Sequence, residues 1–336
     1  MKAVGFSASL PADHPEALVD LDLPEPAAPA GHDILVRVKA VSVNPVDTKV
    51  RRNVPPAEGH RILGFDAAGV VEAVGPEVTL FRPGDEVFYA GDINRPGTNA
   101  ELHLVDERIV GPKPRTLSFA EAAALPLTAI TAWELLFDRL RVPRDREQAI
   151  LVVGGAGGVG SILIQLARAL TKLEVIATAS RPETVEWVTK LGAHAIIDHS
   201  RPMQPQLAAL GHPTVPWIAS LTHTAEHFPQ LAEIVAPQGA IGIIEANHEF
   251  DARLLKNKAA TLAWEMMFAR PDFQTEDMVE QHRLLAEVAR LIDEGVLRTT
   301  LAETLSPIDA ATLRAAHARV ESASTIGKIV VEGFGP

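Results

Sequence analysis

A glycine-rich segment between residues 151 and 160 is the first feature of this sequence that could do chemistry. It reads LVVGGAGGVG, so an apolar run enters the glycines and a helical pattern follows. Gly155, Gly157 and Gly160 have the spacing G-x-G-x-x-G. Such a turn lets the backbone approach a pyrophosphate, and the helix after it supplies N–H donors and a positive dipole end. The strand–turn–helix context predicts a dinucleotide site, with a purely structural turn as the alternative.

The next predicted strand bears on which dinucleotide is bound. A fold that binds NAD usually carries Asp or Glu about twenty residues further on, where the carboxylate holds the ribose diol. Here Ala179 takes that position, and Ser180 and Arg181 follow it. A hydroxyl and a guanidinium suit a 2′-phosphate, so we expect a preference for NADPH over NADH. The alternative is a solvated arginine in a loop.

The composition restricts the class of protein. The chain has 336 residues, of which 47% are hydrophobic and 22% charged, as in an ordinary soluble protein of about two domains. The net charge of −12 argues against nucleic acid and anionic membranes as partners. No cysteine is present, which excludes disulfides and thiolate chemistry. Glycines interrupt the uncharged run 148–167, and the N-terminal sequence shows no secretory signal, so we expect a cytoplasmic protein.

The elements that must position these residues change character along the chain. Up to about residue 125, short alternating segments such as Ile34–Val38 predict a small β-barrel. Ser118 and Glu121 have the spacing of a helix capping box. Beyond residue 149, strands alternate with helices, which predicts an α/β fold with a doubly wound parallel sheet. The predicted strands there are Ala149–Val153, Glu174–Ala179, Ala193–Ile197, Val215–Ser220, Ala240–Glu245 and Thr261–Phe268.

Several stretches match one family in the right order, and together they cover nearly the whole chain. They are Val43–Asp47, Gly64–Val71, Arg82–Tyr89, Leu125–Trp133, Ala156–Gly160, Ala316–Glu321 and Gly327–Val330. The chain thereby resembles the medium-chain dehydrogenase/reductase superfamily, and within it the zinc-independent quinone oxidoreductase branch. Tyr89–Gly97 and Trp264–Phe268 resemble a subgroup often labelled zinc-type alcohol dehydrogenase-like.

The resemblance implies a domain layout. It predicts a GroES-like β-barrel catalytic domain formed by residues 1–127 and 269–336. A Rossmann NADP-binding domain, residues 128–268, is expected to be inserted between these two segments, with the substrate cleft between the domains. It also implies a homodimer formed by pairing edge strands of the Rossmann sheet, and we expect the segment Glu245–Ala260 to do this.

The zinc label can be tested on the residues themselves. Zinc-dependent relatives carry Cys, His and Cys where this chain has Asn44, Phe65 and Leu127. Phe and Leu cannot bind zinc, so we expect no metal site.

Without a Lewis acid, hydrogen-bond donors must stabilise the charge that builds on the substrate oxygen. Asn44 is the first candidate, with an Asn-Pro turn residue as the alternative. Asp47 is expected to be structural, as a helix cap. Tyr89, the only tyrosine, falls where the resemblance places a cleft residue, or else is a core aromatic. Lys49 stands where quinone oxidoreductases often carry Tyr, and either stabilises an anion or is an exposed lysine.

The glycine pattern and the resemblance together assign the residues expected to bind the cofactor. They are Thr131, Gly155, Gly157, Gly158, Val159, Gly160, Ser180, Arg181 and His199. His223, after the fourth strand of the alternating region, either faces the cofactor or lies away from it.

The sequence therefore predicts an NADPH-dependent oxidoreductase that transfers hydride, without zinc, to a small molecule such as a quinone, an enone or another activated carbonyl compound. Two alternatives stay open. One is a zinc-independent alcohol or aldehyde dehydrogenase on the same fold, and the other is a dinucleotide-binding protein without catalysis.

Overall fold

The computed structural model describes residues 1–245 and 248–335, which fall into two units. Unit 1 comprises Met1–Leu127 together with the chain from Phe268 onward, and unit 2 comprises Thr128–Met267. Phe268 lies in unit 1, where its ring centroid is 4.9 Å from that of Phe65.

The strands, in chain order, are β1 Lys2–Phe6, β2 Val19–Asp22, β3 Asp33–Val43, β4 Arg61–Ile62, β5 Asp66–Val74, β6 Glu86–Tyr89, β7 Leu102–Asp106, β8 Val110–Pro112, β9 Ala149–Val153, β10 Glu174–Thr178, β11 Ala195–Ile197, β12 Val215–Ser220, β13 Val235–Ile243, β14 Thr261–Trp264, β15 Leu301–Leu305 and β16 Lys328–Glu332. The α-helices are α1 Pro45–Asn53, α2 Phe119–Ala123, α3 Pro126–Trp133, α4 Gly158–Leu170, α5 Pro182–Lys190, α6 Met203–Ala209, α7 Thr224–Ile234, α8 Ala269–Phe273, α9 Glu280–Asp293 and α10 Ala310–Glu321. A π-helix, Glu134–Arg139, continues α3, and Glu107–Ile109 and Ala252–Lys258 form 3-10 turns.

Unit 2 is built on a six-stranded sheet with the order β11-β10-β9-β12-β13-β14. All of its strand pairs are parallel. Its central strand β9 is buried along its whole length, because a parallel sheet is covered on both faces. The order reverses between β9 and β12, and the carboxyl ends of the strands at such a switch point are where open α/β sheets bind ligands. This confirms the predicted Rossmann-type sheet.

Unit 1 is dominated by β structure. One sheet has the order β15-β16-β3-β5-β6-β8, with β7 also paired to β3, and a smaller sheet has the order β2-β1-β4. The long strand β3 pairs with β5, β7 and β16 and therefore lies at the centre of this sheet. The predicted GroES-like β domain is confirmed. The capping box of α2 is also present, since Ser118 N donates to Glu121 Oε2 at 2.8 Å.

Some element boundaries differ from the prediction. The strand predicted at Ala240–Glu245 begins at Val235, and the one predicted at Thr261–Phe268 ends at Trp264. Helix α6 and strand β15 were not predicted. Most of β15 is exposed and it pairs only with β16 among the described strands, so its sequence carries no alternating apolar pattern.

Within the described residues, one helical stretch is long and apolar enough to cross a membrane by length and composition alone. This stretch, Phe119–Arg139, has 83% of its apolar window buried inside the protein. Core helices of soluble proteins pass the same test, so this stretch is weak grounds for a membrane assignment.

Candidate functional site

The glycine turn at the carboxyl end of β9 has the geometry that its sequence predicts. Gly154 has φ +87°, a left-handed conformation that glycine adopts without strain. Its N–H donates to Thr178 Oγ1 at 3.0 Å, which ties the turn to the end of β10. Helix α4 then begins at Gly158, with Gly157 as its N-cap residue.

The three glycines of the fingerprint have different neighbours. A Cβ at Gly160 would lie 2.3 Å from Gly154 O, and one at Gly155 would lie 3.0 Å from Ala177 Cβ. At Gly157 the nearest atom would be 3.6 Å away, an ordinary van der Waals contact, so a methyl group would fit there without a clash. Gly158 and Val159 are half-buried in the first turn of α4, where backbone N–H groups have no intrahelical acceptor. This cradle fits the pyrophosphate of a nicotinamide dinucleotide.

The residues predicted to meet the adenosine end follow β10 and β11. Ala179 is buried, whereas Ser180 and Arg181 are exposed. Arg181 Nε lies 3.3 Å from Glu183 Oε1 in a half-exposed ion pair. A 2′-phosphate would therefore share this guanidinium with a carboxylate. His199 follows β11 and is half-buried, and Thr131 is buried in α3.

In unit 1, Asn44 belongs to a buried polar network. Its Nδ2 donates to Asp66 Oδ2 at 2.8 Å, and its Oδ1 accepts a hydrogen bond from Lys328 Nζ. Lys328 Nζ also lies 3.2 Å from Asp66 Oδ2, and both side chains are almost completely buried. Ser42 Oγ and the Leu127 N–H complete the shell around the Asp66 carboxylate, at 2.6 and 2.7 Å.

Asp47 has the capping position that the sequence predicts for it. Its Oδ2 accepts from Asn44 N at 2.7 Å at the start of α1, and its Oδ1 accepts from Gly64 N at 3.2 Å. Burial raises the pKa of Asp47 to about 7, against the lowering effect of these hydrogen bonds. Lys49, two residues on, is exposed on the same helix.

The residues at the expected zinc position do not fit a zinc ion. Asn44 is engaged with Asp66 and Lys328, and Phe65 and Leu127 offer no ligand atoms in their side chains. The Lys328 ammonium supplies the positive charge there. Across residues 1–245 and 248–335, no group of three or more His, Cys, Asp or Glu could hold a metal ion.

Tyr89 is completely buried in unit 1 and paired with a histidine. Its hydroxyl lies 3.1 Å from His103 Nδ1, and His103 Nε2 lies 2.9 Å from Pro96 O. A carbonyl can only accept, so Nε2 carries the hydrogen and the Tyr89 hydroxyl donates to Nδ1. Burial raises the pKa of Tyr89 and lowers the pKa of His103 to about 4. The hydroxyl hydrogen of Tyr89 is thus already donated to His103. This arrangement agrees with the alternative interpretation of Tyr89 as an aromatic residue of the core.

The two charged partners of Asn44 are not predicted by the sequence. Lys328 and Asp66 are 262 residues apart, so no local spacing links them. Both nevertheless lie inside stretches that carry the family resemblance, Gly327–Val330 and Gly64–Val71. The local signal for each one is a charged residue at the start of a mostly apolar strand.

Comparisons with known proteins match both parts of the chain. Residues 30–127 match the alcohol dehydrogenase GroES-like domain, and residues 191–331 match a family model described as zinc-binding dehydrogenase. A zinc-type alcohol dehydrogenase-like protein of Staphylococcus aureus (strain MSSA476) is 41% identical, over 98% of this chain and 99% of its own.

Two solved structures extend the comparison. The crystal structure of a proposed zinc-dependent alcohol dehydrogenase from Rhizobium etli CFN 42 has 61% identity and a TM-score of 0.97, covering 100% of this chain and 99% of its own. Quinone oxidoreductase of Pseudomonas syringae pv. Tomato DC3000 has 28% identity and a TM-score of 0.84, covering 98% and 99%. Together with the glycine cradle, these matches show that the chain belongs to the medium-chain dehydrogenase/reductase superfamily, in its quinone-reductase-like branch, and is an oxidoreductase.

Proposed function

We propose that this chain is a zinc-independent, NADPH-dependent reductase of quinones, enones or other activated carbonyl compounds. The observation that carries the proposal is that Asn44, where the resemblance expects a zinc ligand, is held in a buried network with Lys328 and Asp66. It leaves a hydrogen-bonding side chain, rather than a metal, to act on a substrate oxygen.

NADPH is supported by the residues after β10. Ala179 offers no carboxylate to hold a ribose diol or to repel a phosphate, and Arg181 is an exposed cation beside it. Gly155, Gly157 and Gly160 form the cradle for the pyrophosphate, and the start of α4 supplies N–H donors. When bound, a reduced nicotinamide supplies a hydride.

Asn44 is the donor that we assign to the substrate oxygen. Its amide nitrogen carries two hydrogens, and one of them is donated to Asp66. The Lys328 ammonium on its Oδ1 withdraws electron density from the amide and fixes its orientation. Both effects make the second N–H a stronger donor to an oxygen that gains negative charge.

The substrate class rests on the chemistry and on the relatives. Quinones and enones accept hydride directly and place the resulting charge on an oxygen, so they need a hydrogen-bond donor and no metal. The relative from Pseudomonas syringae is named a quinone oxidoreductase. We also propose that the substrate is a small molecule, that the protein is cytoplasmic and that it forms a homodimer.

The test follows NADPH absorbance with purified protein and a panel of quinones, enones and aldehydes. We expect turnover of quinones or enones, and this turnover should be unchanged after dialysis against a chelator. Elemental analysis should find zinc far below one per chain. Turnover of aldehydes alone would favour an alcohol dehydrogenase. Tight NADPH binding without turnover of any compound would favour a non-catalytic dinucleotide-binding protein.

A further inference from the structure

Three histidines of unit 2 lie close together where strands β11 and β12 end. His199 follows β11, His223 precedes α7, and His227 lies one turn further along that helix. The ring centroids of His199 and His227 are 6.0 Å apart, and those of His223 and His227 are 6.4 Å apart. The chain has twelve histidines, and these three come from two separate loop–helix regions.

This histidine cluster adjoins the glycine turn. A Cβ placed on Gly154 would lie 2.9 Å from Thr222 Cγ2, so Thr222 packs directly against the turn. Thr222 Oγ1 is hydrogen-bonded to His223 Nδ1 at 2.7 Å. On the other side, Ala179 N donates to Ile197 O at 3.0 Å, which joins the end of β10 to the strand before His199. The cluster therefore lies along the carboxyl edge of the sheet, beside the residues proposed to hold the dinucleotide.

One nitrogen of the cluster lacks a protein partner. Within the described part of the chain, His199 Nδ1 is buried and makes no hydrogen bond. A buried polar atom without a partner is costly, and a hydrogen bond between this nitrogen and a ligand oxygen would remove that cost. His223 is exposed and His227 is half-buried, so the cluster is open to a ligand on one side.

The surroundings of His199 and His227 favour their neutral form in the free protein. Burial lowers the pKa of His199 and of His227, and the neighbouring imidazoles of the cluster lower them further. The acidic groups that face these rings are Asp198 beside His199 and Glu226 beside His227. Asp198 Oδ1 accepts two hydrogen bonds from Ser200, which lower the pKa of this carboxyl group.

We propose that His199, His223 and His227 form a proton-linked subsite for the phosphates at the adenosine end of NADPH. This inference rests on the proposed function, namely that the chain binds NADPH. The dinucleotide brings several negative charges to the cluster, and this negative potential draws protons onto the imidazoles. Binding therefore takes up protons, and by linkage the affinity for NADPH rises as the pH falls.

The test is calorimetric titration of the protein with NADPH near pH 7 in two buffers of different ionisation enthalpy, which counts the protons exchanged on binding. We expect net uptake, and an affinity that rises by up to about tenfold per pH unit for each proton taken up between pH 8 and 6. The 2′-phosphate of the ligand has a second pKa near 6 and loses a proton when it meets a cation, so its own titration has the opposite sign.

Substitutions assign the protons to these residues. His199→Gln and His227→Gln should each reduce the uptake, and so should His223→Gln. His212→Gln is the matched control, because His212 Nε2 pairs with Glu174 Oε2 at 2.9 Å at the opposite edge of the same sheet. Far-UV circular dichroism checks that each variant is folded.

Two results would overturn the inference. If NADPH binds without proton uptake, or with uptake that all three cluster variants retain, the cluster is not linked to binding while the proposed function stands. If the native protein binds no dinucleotide between pH 6 and 8, the inference and the proposed function both fail.

Discussion

At the scale of single residues, Asn44 stands where the resemblance expects a zinc ligand, and its amide is held by two hydrogen bonds instead. The amide is oriented by an ammonium on its oxygen and a carboxylate on its nitrogen, from Lys328 and Asp66. These two charged groups also pair with each other at 3.2 Å. Removing the amide therefore leaves no isolated buried charge, so Asn44 can be substituted without disrupting the ion pair.

Asn44→Ala should lower kcat for quinone or enone reduction by about 100-fold or more, since it removes one donor to the developing oxyanion. The affinity for NADPH, measured by titration, should be unchanged, because the cofactor residues belong to unit 2. Asn53→Ala, at the exposed end of the same helix α1, is the control and should keep full activity. A kcat for Asn44→Ala within twofold of the native value would remove Asn44 from the reaction.

We expect Arg181 to set a preference for NADPH over NADH. Arg181→Ala should weaken NADPH by about tenfold and leave NADH nearly unchanged, because an exposed charge-assisted bond is at the low end of its range. Glu183→Gln should strengthen NADPH, since it frees the guanidinium from the 3.3 Å ion pair. Both effects should shrink at high ionic strength. Equal losses for the two cofactors in Arg181→Ala would show that this residue does not recognise the phosphate.

At the scale of elements, two glycines of the turn between β9 and α4 are expected to have different tasks. Gly160 allows close packing of the backbone, and Gly157 leaves room for the pyrophosphate. Gly160→Ala places a Cβ 2.3 Å from Gly154 O, a backbone atom that cannot move away cheaply. Gly157→Ala meets nothing closer than 3.6 Å. We therefore expect Gly160→Ala to lower both stability and NADPH affinity. Gly157→Ala should keep the stability and lose the affinity, since its methyl group occupies the approach to the pyrophosphate.

The measurements for this pair are the urea midpoint and the Kd for NADPH of each variant. Gly211→Ala is a glycine control in the same unit, remote from the turn in sequence and with no neighbour within 4 Å, although its φ of +88° costs some stability. If Gly157→Ala binds NADPH as well as the native protein does, the pyrophosphate does not lie on this turn.

A buried pair of glutamates makes the stability of unit 2 depend on pH. Glu134 and Glu265 are both inaccessible, and Arg139 Nε contacts Glu265 Oε2 at 2.9 Å. Burial, and then the charge of Glu134, raise the pKa of Glu265 well above its usual range. At pH values above the ordinary pKa of 4.5, the folded protein still holds a proton on Glu265, whereas the unfolded chain has released it. The contribution of Glu265 to the free energy of unfolding therefore decreases as the pH rises above 4.5.

Glu265→Gln keeps the shape of the neutral acid but cannot ionise. Relative to the native protein, the free energy of unfolding of this variant should be higher at pH 8 than at pH 5, by about 1–2 kcal/mol. Urea unfolding at the two pH values measures this difference. Glu186→Gln, on the exposed face of α5, is the control and should show no such dependence. An equal loss of stability at both pH values would mean that Arg139 holds Glu265 ionised.

The elements differ in how far their sequence could predict them. Strand β9 and the turn after it were predicted accurately, because a buried parallel strand is a continuous apolar run and the glycines encode the turn locally. Strand β15 was missed because three of its five residues are exposed. The buried network around Asn44 could not be predicted, since its contacts join β3, β5 and β16, which only the folded sheet brings together.

At the scale of the whole molecule, the six-stranded sheet of unit 2 ends in β14, which pairs with β13. Exposed edge strands invite pairing with another chain, and natural proteins usually cover them. Large apolar side chains are exposed on and just beyond this strand, with Trp264 at 53% and Met266 at 51%. The segment expected from sequence to form the dimer, Glu245–Ala260, precedes this strand, and its residues 246 and 247 lie outside the described residues.

We predict that the protein is a homodimer at micromolar concentration and that the edge of β14, with Trp264, is part of the interface. Burying a large side chain contributes about 1.5–3 kcal/mol, so Trp264→Arg should raise the dimer Kd by at least tenfold, apart from any repulsion between the new charges. Phe273→Arg changes another exposed aromatic, at 76% exposure in unit 1, and should leave the dimer intact. Sedimentation equilibrium measures the dimer Kd of both variants.

A native protein that sediments only as a monomer contradicts the dimer, and a dimer that Trp264→Arg leaves intact places the interface elsewhere. If Phe273→Arg alone dissociates the dimer, the contact is made by unit 1 and the edge of β14 stays open to solvent.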